Sequence, residues 1–349
     1  MRELLKLIKT IKSKKNKKKI YFFLGNTKKY DPKKFFFTPI RENKNFIFFG
    51  AVVFSDNISK KILKIVDGKV DTILIDIEKK IEFRKKTDYQ NIERTAKEIV
   101  KKSKIYLYKA NDLAVTATET LLFNLYLNDK RGLGGKKILI LGAGNIGFKL
   151  ALKFVECGSK IFIYRRNKKV LKNLTISLNN VKPQGVISRV KALNSFPKNF
   201  KNFDVVLCTS YNKNIINSKI VKNLPKKIIF VDIGKGNFSL KSIEEINKKN
   251  INIFRLDTTS AYFSYLENLT FTQTQYQPNI YKKKIKEFSF VQRGIVGQKN
   301  DIIVDDAVKP KKIFGVCNGE GDLIAYTFDQ KKKLVKNIFL STKKKLAYD

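Results

Sequence analysis

The sequence has 349 residues, 43% of them hydrophobic, with 73 Lys and Arg against 30 Asp and Glu and a formal net charge of +43. That length holds two domains with proper cores, and the apolar content excludes an intrinsically disordered chain. With no His anywhere, a histidine general acid and a Ser-His-Asp triad are excluded too.

So large a positive charge ordinarily points to nucleic acid or an anionic membrane. The excess is nearly all Lys, spread along the chain among abundant Asn, Ile and Phe, which is the residue output of an A/T-biased coding sequence. We read the charge as background and do not expect nucleic acid as partner; a polyanion-binding basic surface is the alternative. Cys157, Cys208 and Cys317 are too few and too far apart for a disulfide framework or a zinc site, so a reducing cytoplasm and no metal are expected. No apolar stretch reaches the roughly 18 residues that span a bilayer, and the start lacks the continuous apolar core of a signal peptide.

In chain order, residues 1–18 form a basic segment with Leu4, Leu5, Ile8 and Ile11 on one helical face. Such a face packs on the body or touches an anionic membrane, and packing is the expectation. Residues 19–112 read as a smaller α/β substrate domain. Its strands are Lys19 to Gly25, Phe46 to Phe54, Val70 to Ile77 and Lys104 to Tyr108; its helices are Ser59 to Val66 and, capped by Thr87, Asp88 to Lys102. Strands alternating with helices imply a mostly parallel sheet, whose ligands sit beyond the carboxyl ends of the strands. Asp76, Glu78 and Lys79 follow the third strand, and Lys109, Asn111 and Asp112 the fourth.

Residues 113–135 are a linking helix, 113 to 131, and a glycine turn. Thr116, Thr118 and Glu119 are placed at its front, where the threonines contact substrate or serve as plain N-caps.

Residues 136–257 carry the strongest signal. An apolar strand to Leu141 gives way to Gly142-Ala143-Gly144-Asn145-Ile146-Gly147, then to a helix ended by Gly158, then to a second strand, Lys160 to Tyr164. This is the G-x-G-x-x-G turn in its proper strand–turn–helix setting: tight turn, close approach to a pyrophosphate, and close helix–strand packing. The second strand ends in Arg165, Arg166 and Asn167 rather than an acid, which suits a 2′-phosphate and so NADP(H) over NAD(H). Further strands are Val186 to Val190, Phe203 to Leu207 ending in Cys208-Thr209-Ser210, Lys227 to Val231 ending in Asp232-Ile233-Gly234, and Ile251 to Arg255. Both ending motifs are expected beside the nicotinamide ring.

Residues 258–284 form a returning helix from Ala261 towards Gln275, capped by Asp257 to Ser260, with Tyr262, Tyr265 and Glu267 as cleft candidates. Residues 285–349 read as a small antiparallel β appendage for dimerisation or as a lid. Its strands are Phe288 to Val296, Asp301 to Val304, Lys312 to Cys317 and Asp322 to Phe328, with a hairpin turn at Asn318 to Gly321. The fold class is α/β: a Rossmann-type doubly wound parallel sheet domain, preceded by a smaller α/β domain and followed by a β appendage.

This order of parts, with the GAGNIG turn, the basic end Tyr164-Arg165-Arg166-Asn167, the DVVLCTS strand and the VDIG strand, resembles the shikimate dehydrogenase and glutamyl-tRNA reductase group of two-domain oxidoreductases. The resemblance implies NADP(H) at the arginines, and a Lys and Asp pair that moves a proton as hydride passes between C4 of nicotinamide and a secondary alcohol carbon. Those dehydrogenases carry Asn-Thr-Asp-Gly where this chain has Thr116-Ala117-Thr118-Glu119. Lys79 or Lys109 is then the lysine, with Asp112 or Glu119 as the acid. No Cys precedes Cys157, which disfavours the thioester route of the reductases. The expectation is a cytoplasmic oxidoreductase acting on a small hydroxy or oxo metabolite that carries a carboxylate. A non-catalytic nucleotide-binding sensor or scaffold is the alternative.

Overall fold

The computed structural model describes residues 2–13, 17–27, 30–78, 91–222, 224–275 and 281–348. They divide into two compact units, Met1–Ala261 and Tyr262–Asp349.

The first unit opens with α1 (Arg2–Ser13), β1 (Lys19–Asn26), β2 (Phe35–Phe37), β3 (Arg41–Glu42), β4 (Phe46–Val53), α2 (Asp56–Val66), β5 (Thr72–Asp76), α3 (Ile92–Ile99) and β6 (Lys104–Tyr108). The sheet order is β2-β4-β1-β5-β6, with β3 also on β4. β1, β4, β5 and β6 run parallel, and β2 and β3 lie antiparallel on β4. β1 and β4 are central because they are continuous apolar runs, Tyr21 to Leu24 and Phe46 to Phe49, buried on both faces. Leu4, Ile8 and Ile11 of α1 join the same core, so its apolar face is already occupied.

Helix α3 ends at Ile99, short of the expected Lys102, for a visible reason. The Asp67 carboxylate accepts the N–H groups of Lys101, Lys102 and Ser103 and turns the chain. The expected cap Thr87 and the catalytic candidate Lys79 lie outside the described residues; α3 is capped by Asn91.

Next come α4 (Ala110–Leu125), β7 (Lys137–Leu141), α5 (Asn145–Glu156), β8 (Lys160–Tyr164), α6 (Lys168–Val181), β9 (Val190–Ala192), β10 (Val205–Cys208), α7 (Ser218–Val221), β11 (Ile229–Asp232), α8 (Leu240–Lys248) and β12 (Asn252–Arg255). All six strands run parallel in the order β12-β11-β10-β7-β8-β9. That is the doubly wound nucleotide-binding order, with its switch point between β7 and β10. The expected strand Val186 to Val190 is corrected to β9, and α6 before it leaves little helical period in the sequence because only Leu171 and Leu178 of its face are buried.

α9 (Thr259–Gln275) crosses the boundary between the units. The second unit holds β13 (Lys282–Ile285), β14 (Phe288–Gln292), β15 (Ile302–Val304), β16 (Lys312–Val316), α10 (Phe328–Thr342) and β17 (Ala347–Tyr348), its strands forming one sheet. The sheet is mixed rather than antiparallel, since β14 and β15 run parallel, as do β16 and β17. The expected strand Asp322 to Phe328 is reduced to one bridge, Leu323 to Cys317. α10 follows instead, started by a Thr327–Gln330 capping box.

Candidate functional site

At the switch point the chain leaves β7 through Gly142, whose φ of +112° is open to glycine. A Cβ there would lie 2.8 Å from the Ser210 nitrogen, and one at Gly147 would lie 2.4 Å from the Gly142 oxygen. A Cβ at Gly144 would meet nothing within 4 Å, so that backbone faces open space. Gly144 is the N-cap of α5, no side chain caps the helix, and its first turn holds no acid. Free N–H groups and the positive end of the helix dipole therefore face a cleft of about 1400 Å³. The turn, Tyr164 to Asn167 and Thr209 to Lys213 line it. An elongated, anion-bearing dinucleotide fits these features.

The turn is held from both sides. The Thr209 hydroxyl donates to the Gly142 carbonyl at 2.5 Å. Arg165 donates from Nη1 to the Ala143 carbonyl at 2.8 Å, and Arg166 from Nη2 to Asn212 Oδ1 at 2.9 Å. Asn167 caps α6 through the Val170 N–H.

Cys208 and Asp232 differ from their expected roles as cofactor contacts. Cys208 is fully buried, and burial, followed by the Asp232 charge, pushes its thiol well above the ordinary value. Its carbonyl accepts the N–H groups of Ile233 and Gly234. Gly234 packs on β10, where a Cβ would lie 2.0 Å from the Ser210 oxygen. The Asp232 carboxylate is used by its own turn, accepting the N–H groups of Lys235 and Gly236 and the side-chain amide of Asn237.

Helix α4 starts three residues earlier than read because carboxylates from the first sheet cap it. Asp76 accepts from the Ala110 N–H at 3.4 Å and Glu78 from the Asn111 N–H at 2.8 Å. Thr116 and Thr118 therefore lie inside the helix and not at its front. Thr118 is fully buried, its hydroxyl donating to the Ala114 carbonyl, which turns it away from any substrate; Thr116 is exposed. Asp112 pairs with Lys149 of α5 and lies 3.8 Å from Lys109, while Glu119 pairs with Lys153 at 2.8 Å. Two acids seven apart thus meet two lysines four apart, which clamps α4 to α5. Lys149 and Lys153 were missed; their spacing along α5 is the signal that paired them.

Asn111 and Thr27 also line the cleft, and Asn111 Nδ2 approaches Asn145 Oδ1 at 3.4 Å. Nearby, Asn26 donates to the carbonyls of Asp76 and Glu78, while its Oδ1 is buried with no hydrogen-bond partner among the described residues. Tyr262, a substrate candidate, is half-buried on α9 and opens the second unit. Among the described residues no group of His, Cys, Asp and Glu could hold a metal ion, and no helix is long and apolar enough to cross a membrane.

Residues 126–260 match the protein family described as Shikimate / quinate 5-dehydrogenase. Over 123 residues the chain is 26% identical to a glycerol-3-phosphate dehydrogenase [NAD(P)+] of Clostridium botulinum (strain Eklund 17B / Type B), covering 33% of this chain and 37% of that one. Over 126 residues it is 27% identical to a glutamyl-tRNA reductase of Campylobacter jejuni subsp. jejuni serotype O:6, covering 36% of this chain and 27% of that one. The chain thus spans well under half the length of these curated relatives. Similar solved structures include a shikimate dehydrogenase in complex with NADP+, with TM-score 0.38 and 15% identity over 72% of this chain and 91% of that one. The D-lactate dehydrogenase of Escherichia coli has TM-score 0.34 and 14% identity, over 66% of this chain and 92% of that one.

Proposed function

From a nucleotide-binding domain that matches the shikimate / quinate 5-dehydrogenase family, we propose that this protein is an NADP(H)-dependent oxidoreductase acting on a small hydroxy or oxo metabolite that carries a carboxylate. The uncapped, acid-free start of α5 facing the cleft carries the reading, because it is built for a diphosphate. A nicotinamide nucleotide bound there supplies or takes up a hydride at C4.

The rest is work for this chain's own residues. The Asn145, Ile146 and Gly147 N–H groups hold the diphosphate, and Arg166 takes the 2′-phosphate while Arg165 keeps the turn in shape. Lys109 and Asp112, beside the cleft-lining Asn111, handle the proton gained or lost at the substrate oxygen. Both lie at carboxyl ends of parallel strands or at the helix start that follows, where such sheets bind ligands. A cytoplasmic location belongs to the same proposal and rests on three free thiols.

One observation favours the sensor or scaffold reading: Asp112 and Glu119 are both held in ion pairs. Titration with NADPH and NADH, followed by a screen of hydroxy acids and oxo acids for nucleotide oxidation or reduction, separates the two. Tight NADPH binding with turnover of such an acid supports the enzyme. NADPH binding with no turnover of any alcohol or ketone supports the sensor, and no binding of either nucleotide removes both.

A further inference from the structure

Two loops bring lysines to the end of the cleft where Arg166 stands. β9 pairs with β8 in parallel register and the Leu193 N–H donates to the Ile163 carbonyl, so the chain leaves β9 at the same carboxyl edge as Tyr164 and the arginines. There Phe196 packs edge-on against Tyr164 with ring centroids 5.4 Å apart, and Pro197 and Lys198 follow it along the cleft wall. On the other side of β7 the chain leaves β10, passes Thr209 and Ser210, and reaches Asn212 and Lys213, which line the same cleft.

The loop after β10 is fixed in place. The Ser210 hydroxyl accepts the Asn212 N–H at 3.1 Å, and the Asn214 N–H donates to the Gly236 carbonyl at 2.9 Å. Asn212 Oδ1 in turn accepts from Arg166 Nη2, which ties this loop to the end of β8; β10 and β8 are the two strands that flank β7. Lys213 is therefore one residue from a group that already touches Arg166. Lys198 comes from the strand next to β8, and neighbouring strands are about 4.8 Å apart, a gap that the four-carbon lysine stem crosses.

The charge at this end is one-sided. Among the described residues no Asp or Glu lines the cleft, and neither Lys198 nor Lys213 is held in an ion pair. Lys149 and Lys153 on α5, by contrast, are both paired with carboxylates of α4. The bond to Asn212 uses one of the five N–H donors of Arg166. A diphosphate is met by the free start of α5, so these three cations are left for a further anionic group.

We infer that Lys198 and Lys213 complete, with Arg166, the subsite for the 2′-phosphate, so that the choice of NADP(H) over NAD(H) is read by the loops after β8, β9 and β10 together. The assignment rests on the nucleotide reading of the same cleft. A lysine meets the phosphate as a point charge on a flexible stem and not as a fixed fork, so losing one should cost less than losing the arginine.

Calorimetric titrations with NADP+ and NAD+ at constant ionic strength compare the unaltered chain, K198M, K213M and the double variant. K241M, which removes an exposed lysine of α8 outside the cleft lining, controls for general charge. The preference for NADP+ over NAD+ should fall about threefold or more in each single variant and further in the double variant, with NAD+ affinity within about twofold throughout. K241M should match the unaltered chain. The second readout is pH. A phosphate monoester takes up its second charge with a pKa of about 6, and this chain has no His to titrate beside it. The preference should therefore grow between pH ~5.5 and pH ~7.5 in the unaltered chain, and grow less in the double variant. An unchanged preference in both lysine variants, or equal loss of both nucleotides, overturns the inference while the preference of the unaltered chain still supports NADP(H). An unaltered chain that binds the two nucleotides equally, or neither, removes the NADP(H) reading itself and the subsite with it.

Discussion

Arg165 donates from Nη1 to the carbonyl oxygen of Ala143 at 2.8 Å, so the end of β8 is tied to the glycine turn by one of the two arginines that the sequence assigned to phosphate recognition. Its neighbour Arg166 is exposed and reaches Asn212 instead. The two arginines therefore have separable tasks. Arg166→Ala should weaken NADPH binding about tenfold or more, as loss of charge-assisted hydrogen bonds worth about 1.5–3 kcal/mol implies, and leave NADH nearly unchanged. Arg165→Ala should weaken both nucleotides, because it loosens the turn they share. Calorimetric titrations decide, and equal loss of both nucleotides in R166A would remove the argument for a 2′-phosphate.

Gly144 and Gly147 should fail differently. A Cβ at Gly147 would sit 2.4 Å from the Gly142 oxygen, so Gly147→Ala has to shift backbone and should cost about 1–3 kcal/mol of stability. A Cβ at Gly144 would meet nothing within 4 Å and would instead enter the cleft. Gly144→Ala should keep its Tm and lose nucleotide affinity. A thermal melt beside a binding titration checks both, and a G144A protein that binds normally would mean that nothing approaches this backbone.

The α4–α5 clamp separates structure from chemistry. The Glu119–Lys153 pair is partly exposed, so Glu119→Gln should cost no more than about 1 kcal/mol and leave turnover intact. Asp112 stands 3.8 Å from Lys109 as well as pairing with Lys149, and Asp112→Asn should lower kcat about 100-fold or more if the pair moves the proton. Equal, small effects of the two substitutions on kcat would strip Asp112 of any part in proton transfer.

Tyr126 should mark the alkaline limit of the fold. Burial, followed by the charges of Asp204 and Asp129, pushes its hydroxyl up to about 12. A folded value above the unfolded one of about 10 means that the neutral phenol is the form the fold prefers. Its contribution is complete below pH ~10 and is lost as pH rises from there through the folded value. Denaturant unfolding at increasing pH should therefore show stability falling in that window, and Tyr126→Phe should flatten the fall. An equally steep decline in Y126F would place the titration elsewhere.

Much of the site was legible in the chain. Continuous apolar runs such as Tyr21 to Leu24 and Ile138 to Leu141, short and bounded by turn residues, suit central strands buried on both faces, and the order strand, GAGNIG, helix, strand favours a right-handed βαβ unit. Helix α6 was not legible, because an exposed helix buries only Leu171 and Leu178 and leaves almost no period to read. Helix α10 left a local signal, Thr327 with Gln330, that apolar strand-like residues before it obscured.

What the sequence determined by itself is what short-range sterics and burial determine: the parallel strands, the glycine turn, and the basic end of β8. What the tertiary structure alone decided is where each polar group spends its hydrogen bonds. Asp76 and Glu78 cap a helix that begins more than thirty residues later, Cys208 points into the core, Asp232 is consumed by its own turn, and Arg41 donates to the hydroxyl of Thr259, far along the chain. Local preference fixes a residue's conformation, but partners distant in sequence are chosen only when the sheets pack, and that choice separates a structural side chain from one left to meet a ligand.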